Sequence, residues 1–171
     1  MEPWISERIG AIQICMDAEF VEAALALLYS AIDTLAFLAA PSGTEDVARG
    51  NFIEWCDRYM SPRLRGVSGI DLYGARGGIL HTSSAASRLG RVGRAREVWY
   101  RFKGQTGVNL VTNTPQPAII LDIEQLIAAF GEATREFVRD VRADRDRLAT
   151  AQERVRQFFS WGVLHGDIFD L

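Results

Sequence analysis

The chain has 171 residues, of which 48% are hydrophobic, and its formal net charge is −3. This length predicts a single domain, residues 1–171, with enough apolar material to bury a core. The charge excludes a globally basic nucleic-acid-binding protein, although a local basic patch remains compatible with it. The two cysteines, Cys15 and Cys56, are too few for a disulfide framework and have no Cys or His at metal-ligand spacing. We therefore expect no metal and no cofactor.

The chain starts with residues 1–4, Met-Glu-Pro-Trp, which lack the basic and apolar regions of a signal peptide, so we expect a cytoplasmic protein. The apolar stretch 20–40 raises the question of a membrane span. It contains Glu22 and Asp33, and a central Asp in a spanning helix costs about 2.5 to 3.5 kcal/mol on insertion scales. We expect instead a buried helix of a soluble bundle, with no membrane partner.

The first half of the sequence is helical in pattern. Apolar residues recur at steps of three to five over residues 6–39 and predict one long helix. After the turn residues Pro41-Ser-Gly43, Thr44 and Glu45 are suited to begin a second helix, which should end near Pro62. A third helix is predicted over residues 69–86.

The pattern changes between residues 90 and 117, where glycines and prolines surround two short apolar runs, 98–102 and 118–121. These runs predict a loop or a small β-hairpin inserted at about residues 90–120. A helical period returns at Asp122, as one very long helix or two joined near Asp144. The fold class is therefore mostly α, an antiparallel up-and-down bundle of four or five helices with a small loop or β-hairpin insertion.

The third helix contains the most informative pair of residues, Arg76 and His81. Histidine exchanges protons near neutral pH, and the planar guanidinium of arginine suits a phosphate. On an ideal helix the two residues lie about 140° apart in azimuth and about 7.5 Å apart along the axis. They do not share a face, so a two-fold dimer that places Arg76 of one chain beside His81 of the other would complete the site.

The neighbours of this pair add to the candidate site. The helix contains Gly74, Gly77 and Gly78, each of which costs about 0.5 to 1 kcal/mol relative to Ala, and which let a backbone or a ligand approach closely. Tyr73 is expected in the core more often than as a surface on which a base stacks.

Asp33, in the apolar first helix, is a candidate supporting residue. It could hold Arg76 or orient His81, because a buried charge needs a partner. The alternative is that Ser30, Thr34 or another local donor satisfies the Asp33 carboxylate.

A basic segment follows the third helix. Its candidate RNA-binding residues are Arg88, Arg91, Arg94 and Arg96. They could line an entrance for an RNA backbone, where each neutralised phosphate adds salt dependence. The alternative is an arginine-rich loop that only contacts solvent.

The Arg-x4-His pattern at Arg76 and His81, preceded by Asp71-Leu-Tyr73 on the third helix, resembles the Arg-x4-6-His motif of HEPN domains. The resemblance covers residues 6–87 well, whereas the helices after residue 122 resemble the family only in being long helices. It implies an up-and-down helical bundle that homodimerises, and a metal-independent RNA endonuclease with arginine and histidine from both protomers in one cleft. Many nucleolytic members carry a polar residue after the arginine, where this chain has Gly77.

By this resemblance His81 is the general base or acid, and Arg76 neutralises the phosphate. The implied partners are RNA and a second copy of the chain, and a toxin or defence setting adds a cognate protein inhibitor. Two alternatives remain open: a non-catalytic HEPN-like dimeric module that binds a protein or a nucleotide, and a helical interaction protein in which Arg76 and His81 run no reaction. His165, near Asp167, is left out of the site.

Overall fold

The protein is described here from a computed structural model, which covers residues 2–44, 48–82, 88–103 and 118–156. Within these residues it is mostly helical, as predicted, with seven α-helices and one two-stranded sheet. The helices are α1 (Glu2–Asp17), α2 (Val21–Ala39), α3 (Arg49–Trp55), α4 (Gly69–Thr82), α5 (Arg88–Arg91), α6 (Ile123–Ala143) and α7 (Arg145–Val155). The strands are β1 (Val98–Arg101) and β2 (Ile119–Asp122).

The prediction of one helix over residues 6–39 is wrong, because the chain breaks between α1 and α2. Glu19 adopts a left-handed conformation with φ of 61°. The backbone N–H of Phe20 then donates to the Cys15 carbonyl at 2.7 Å, which closes the end of α1. The two helices each bury apolar residues in the same core, so the apolar period continues across a break that it cannot reveal.

The centre of the core is α2. Leu28, Tyr29, Ile32 and Leu35 are completely buried there. By length and composition α2 is apolar enough to cross a membrane, but half of that stretch is buried against the rest of the chain. It therefore packs as a core helix of this domain.

The second predicted helix begins later than expected. Ala48 precedes α3, and its N–H donates to Oδ1 of Asn51 at 2.9 Å. The predicted cap at Thr44 is wrong, because that residue lies in a turn in which its N–H bonds the Pro41 carbonyl. Glu45 lies outside the described residues.

The end of this helix is close to the prediction. α3 continues into a π-helical turn, Cys56–Met60, and a 3₁₀ turn, Ser61–Arg63. The third predicted helix, 69–86, corresponds to α4, and its last residues, 83–86, are outside the described part of the chain.

Both predicted strands are present, but the predicted hairpin is wrong. β1 and β2 pair in parallel, with Val98 opposite Ile119 and Arg101 opposite Asp122. A hairpin would require antiparallel strands joined by a tight turn. The connection from 102 to 118 is instead long enough for a parallel crossover, which needs about a dozen residues.

The C-terminal helical region consists of two helices, one of the two alternatives predicted. They are joined at Asp144, whose Oδ1 accepts hydrogen bonds from the backbone N–H groups of Asp146 and Arg147 at 3.0 and 3.1 Å. An N-terminal cap of this kind starts α7 where α6 ends. One hydrophobic cluster joins residues of α1, α2, α3, α4, both strands, α6 and α7.

Candidate functional site

The N-terminus of α4 is held tightly against α3, and this fixes the helix that contains Arg76 and His81. The N–H of Gly69 donates to Oδ1 of Asp57 at 2.5 Å. A Cβ atom at Gly69 would overlap the Ile53 carbonyl oxygen and lie 2.9 Å from Asp57 Oδ1. Only glycine fits this close approach without movement of the chain.

A buried carboxylate stabilises the same helix end. Ser68 donates to Oδ2 of Asp71 from its backbone N–H at 3.1 Å and from its hydroxyl at 2.6 Å. Asp71 also accepts the backbone N–H of Arg96 at 2.8 Å and the guanidinium of Arg96 at 2.6 Å. Burial raises the pKa of Asp71, but these hydrogen bonds together lower it below its ordinary value.

The structure places Asp33 of α2 against Arg76 of α4. Nε of Arg76 donates to both carboxylate oxygens of Asp33, at 2.7 and 2.9 Å. The two side chains are 20% and 21% exposed, so the ion pair lies at the edge of the core. Thr34, one of the alternative local donors, instead bonds the Ser30 carbonyl at 3.1 Å.

Asp33 interacts electrostatically with His81 as well as with Arg76. Burial raises the pKa of Asp33, and this effect exceeds the opposing effects of the Arg76 hydrogen bond, the Arg76 charge and the His81 charge. The two α4 residues leave a regular helix in different directions. The Asp33 carboxylate of α2 nevertheless forms hydrogen bonds with Arg76 and interacts with the charge of His81 in the same chain. The geometry of α4 alone does not predict this.

Tyr73 supports two guanidinium groups. The Cζ atoms of Arg49 and Arg76 each lie 5.7 Å from the centroid of its ring, within cation–π range. The Phe52 ring packs edge-on at 5.5 Å. The half-buried ring of Tyr73 is thus shared between core packing and two cations, and it is not an open surface on which a base stacks.

A cleft of about 560 Å³ opens beside Tyr73. The residues that line it are Arg49, Tyr73, Gly74, Gly77, Arg88, Leu89, Val92 and Arg94, and we call it the arginine cleft. A Cβ atom added at Gly77 would meet no neighbouring atom within 4 Å. Gly77 therefore leaves open space for a ligand and is not required for backbone packing within the chain.

Two of the four predicted RNA-binding arginines, Arg88 and Arg94, line this cleft. A turn with Gly93 at φ of 67° folds the segment back, and the N–H of Arg94 donates to the Leu89 carbonyl at 2.9 Å. This turn places both arginines at one opening. Arg91 is exposed but does not line the cleft.

Arg96 has a different place from the one predicted. Its guanidinium bonds Asp71 and the Gly66 carbonyl, the latter at 2.6 Å. Arg96 therefore anchors the basic segment to the start of α4 and does not line the arginine cleft.

Sequence reasoning missed Arg49. It lies at the first position of α3, far from the Arg76/His81 helix in sequence, and only the packing of α3 on α4 brings it to Tyr73. No periodicity or short motif in the sequence signals that contact.

Comparison with known proteins gave no relative. No protein-family model, curated protein or solved structure matches the chain.

The ionisable groups of the site are basic residues and one carboxylate, Asp33. Among the described residues, no group of three or more His, Cys, Asp and Glu side chains could hold a metal ion. His165 lies outside the described residues. The arrangement offers a proton-exchanging imidazole, a guanidinium held by a carboxylate, and an adjoining cleft suited to anions.

Proposed function

We propose that this chain is a HEPN-like, metal-independent endoribonuclease that acts as a homodimer in the cytoplasm. The observation that supports this best is the position of Asp33, which binds Arg76 and interacts electrostatically with His81. A guanidinium held by a carboxylate can bind a phosphate, and an imidazole on the same helix can move protons.

In the proposed reaction, His81 removes the proton of a ribose 2′-hydroxyl, and the 2′-oxygen attacks the adjacent phosphorus. The bond from phosphorus to the 5′-oxygen breaks. His81 of the partner subunit donates a proton to that leaving oxygen. The products are a 2′,3′-cyclic phosphate and a 5′-hydroxyl, and no oxidant or metal takes part.

Arg76 stabilises the negative charge that develops on the phosphate oxygens. Asp33 positions Arg76 before RNA binds, since Nε of Arg76 contacts both of its oxygens. Asp33 is therefore a positioning residue.

The second candidate is a HEPN-like dimeric module that binds a protein or a nucleotide without cleavage. One observation favours it. Gly77 supplies no polar side chain beside the arginine, where many nucleolytic HEPN domains have one. In this second function the chain would bind RNA or a cognate protein inhibitor but would not cleave the RNA.

The deciding experiment is incubation of purified full-length protein with mixed RNA in EDTA, beside the His81→Ala, Arg76→Ala and Arg145→Ala variants. Arg145 is an exposed arginine of α7, remote in sequence from the site, and serves as the matched control. We expect cleavage by the wild type and by Arg145→Ala, and about a hundredfold or greater loss in the other two.

The ends of the RNA products and the mass of the protein complete this test. Cyclic phosphate ends and a dimeric mass from light scattering support the proposed mechanism. Intact RNA with the wild type at high protein concentration rules out the nuclease and leaves the binding module. Equal activity in all four proteins identifies a contaminating nuclease.

A further inference from the structure

We infer that the arginine cleft is a phosphate-binding subsite that holds the backbone of single-stranded RNA beside the Arg76/His81 pair. The cleft is distinct from that pair, because neither Arg76 nor His81 is among the residues that line it. Its identity as an RNA subsite rests on the proposed function, whereas its preference for phosphate rests on its own residues.

The charges of the cleft point to an anion. Arg49 comes from the start of α3, Arg88 from α5 and Arg94 from the turn that follows α5. In the described part of the chain, no carboxylate lies within ion-pair distance of these three arginines. The three exposed guanidiniums repel one another where they border one cleft, and a phosphate bound between them would offset this repulsion.

The shape of the cleft favours the backbone of a strand over its bases. The Tyr73 ring already contacts the Arg49 and Arg76 guanidiniums, so a stacked base would have to compete with two cations for this ring. Gly74 and Gly77 leave the wall of the cleft without side chains, which lets a phosphate approach closely. The volume of about 560 Å³ is within the usual range for small-ligand sites.

The position of the cleft relates it to the reacting pair. Tyr73, Gly77 and His81 are spaced four residues apart and lie along one face of α4. His81 is therefore about 6 Å further along the helix than Gly77. When one phosphate of an RNA strand occupies the cleft, a neighbouring phosphate of the same strand would lie close to His81. The cleft therefore sets which phosphodiester bond is cut.

The test uses full-length protein with His81→Ala, which should bind RNA without cleaving it. Binding of a fluorescent single-stranded oligoribonucleotide is measured by anisotropy over a series of salt concentrations. Arg49→Gln, Arg88→Gln and Arg94→Gln are each added to this background, with Arg145→Gln as the charge-matched control. Circular dichroism establishes that each variant is folded.

We expect each cleft variant to weaken binding about tenfold at low salt. The logarithm of the association constant decreases with the logarithm of the salt concentration. The magnitude of this slope should become smaller by about 0.7 for each phosphate that the variant no longer neutralises. The control should bind as the parent does, and an oligonucleotide with abasic residues should bind nearly as well as the intact strand. Unchanged affinity and slope in all three cleft variants would overturn the inference, as would loss of binding with the abasic strand.

A competition experiment with inorganic phosphate or AMP distinguishes a cleft that binds an RNA strand from one that binds only a small free anion. Inorganic phosphate or AMP that binds in an arginine-dependent way, without any binding of the strand, overturns the RNA subsite. Arginine-dependent strand binding by a wild type that leaves RNA intact supports the subsite while the nuclease proposal fails. RNA cleavage that is insensitive to all three substitutions supports the nuclease and overturns the subsite.

Discussion

The carboxylate of Asp33 accepts two hydrogen bonds from Nε of Arg76, at 2.7 and 2.9 Å, yet its pKa is raised above the ordinary value. Burial of Asp33 thus disfavours its ionised form more than Arg76 and His81 favour it. A carboxylate of this kind lowers stability when it is charged.

This relationship predicts an unusual result for Asp33→Asn. A carboxyl whose pKa is raised by folding contributes its stability below its unfolded pKa of about 3.9, and loses it as the pH rises through the folded value. Asparagine removes the charge but keeps one oxygen that can accept from Nε of Arg76, so at pH 7 the variant should lie within about 1 kcal/mol of the wild type. Urea denaturation measures this. A loss of stability of more than about 1 kcal/mol would show that the ion pair is a net stabiliser.

Asp71 should show the opposite dependence on pH. Its pKa is lowered, so its contribution to stability is complete above about pH 4 and is lost as the pH falls through the lowered value. Asp71→Asn should therefore unfold at lower urea concentration than the wild type at pH 7, by about 2 kcal/mol, and the difference should shrink below pH 4. A difference that stays constant between about pH 7 and pH 3 would contradict this assignment.

The sequence predicted the elements of this fold better than their ends and pairing. The pattern of apolar residues located α4 and α6, and short apolar runs between glycines and prolines located both strands. It found α1 and α2 only as one continuous helix. The break at Glu19 and the parallel pairing of β1 with β2 were missed. Both depend on tertiary contacts: the helices on each side of Glu19 pack on the same core, and short strands do not encode their direction in local pattern.

The candidate site was predictable only in part, for a similar reason. Chemistry alone singled out Arg76, His81 and Asp33, since each is a polar side chain in an apolar helix. The place of Arg49 beside Tyr73 and the bond between Arg96 and Asp71 follow from the packing of separate segments. The arginines between 88 and 96 look alike in the sequence. In the fold, Arg88 and Arg94 line the arginine cleft and Arg96 anchors the segment to Asp71.

Two glycines of α4 should respond in opposite ways to the same substitution. Gly69→Ala should destabilise the protein by about 2 kcal/mol or more, because the new Cβ would overlap the Ile53 carbonyl. Gly77→Ala should stabilise it by about 0.5 to 1 kcal/mol, since alanine is a better helix former and the space around Gly77 is open. Thermal unfolding of the two variants compares them directly. Similar shifts in both would mean that α4 does not approach α3 as described.

Arg154 of α7 caps the C-terminus of α2. It is buried without a carboxylate partner among the described residues, and its guanidinium donates to the carbonyl oxygens of Phe37, Ala40 and Pro41 at 2.5 to 2.7 Å. It also lies 4.7 Å from the centroid of the Phe37 ring. The Phe37 and Pro41 carbonyls also accept the backbone N–H groups of Ala40 and Thr44, so Arg154 adds donors to a helix end that is already partly paired. One side chain thus joins α7 to α2.

Replacement of Arg154 by methionine should lower the free energy of unfolding by about 2 to 4 kcal/mol, because the buried Ala40 carbonyl and the partly buried Phe37 and Pro41 carbonyls all lose a charged donor. Arg154→Lys should recover only part of this, since a single ammonium group cannot span the same set of acceptors. Arg145→Met is the matched control, because Arg145 is exposed on the same helix and should change stability by less than about 0.5 kcal/mol. Urea denaturation measures the free energy of unfolding of the three variants, which should increase from Arg154→Met to Arg154→Lys to Arg145→Met. If Arg154→Met were as stable as the control, the cap would not hold α2 against α7.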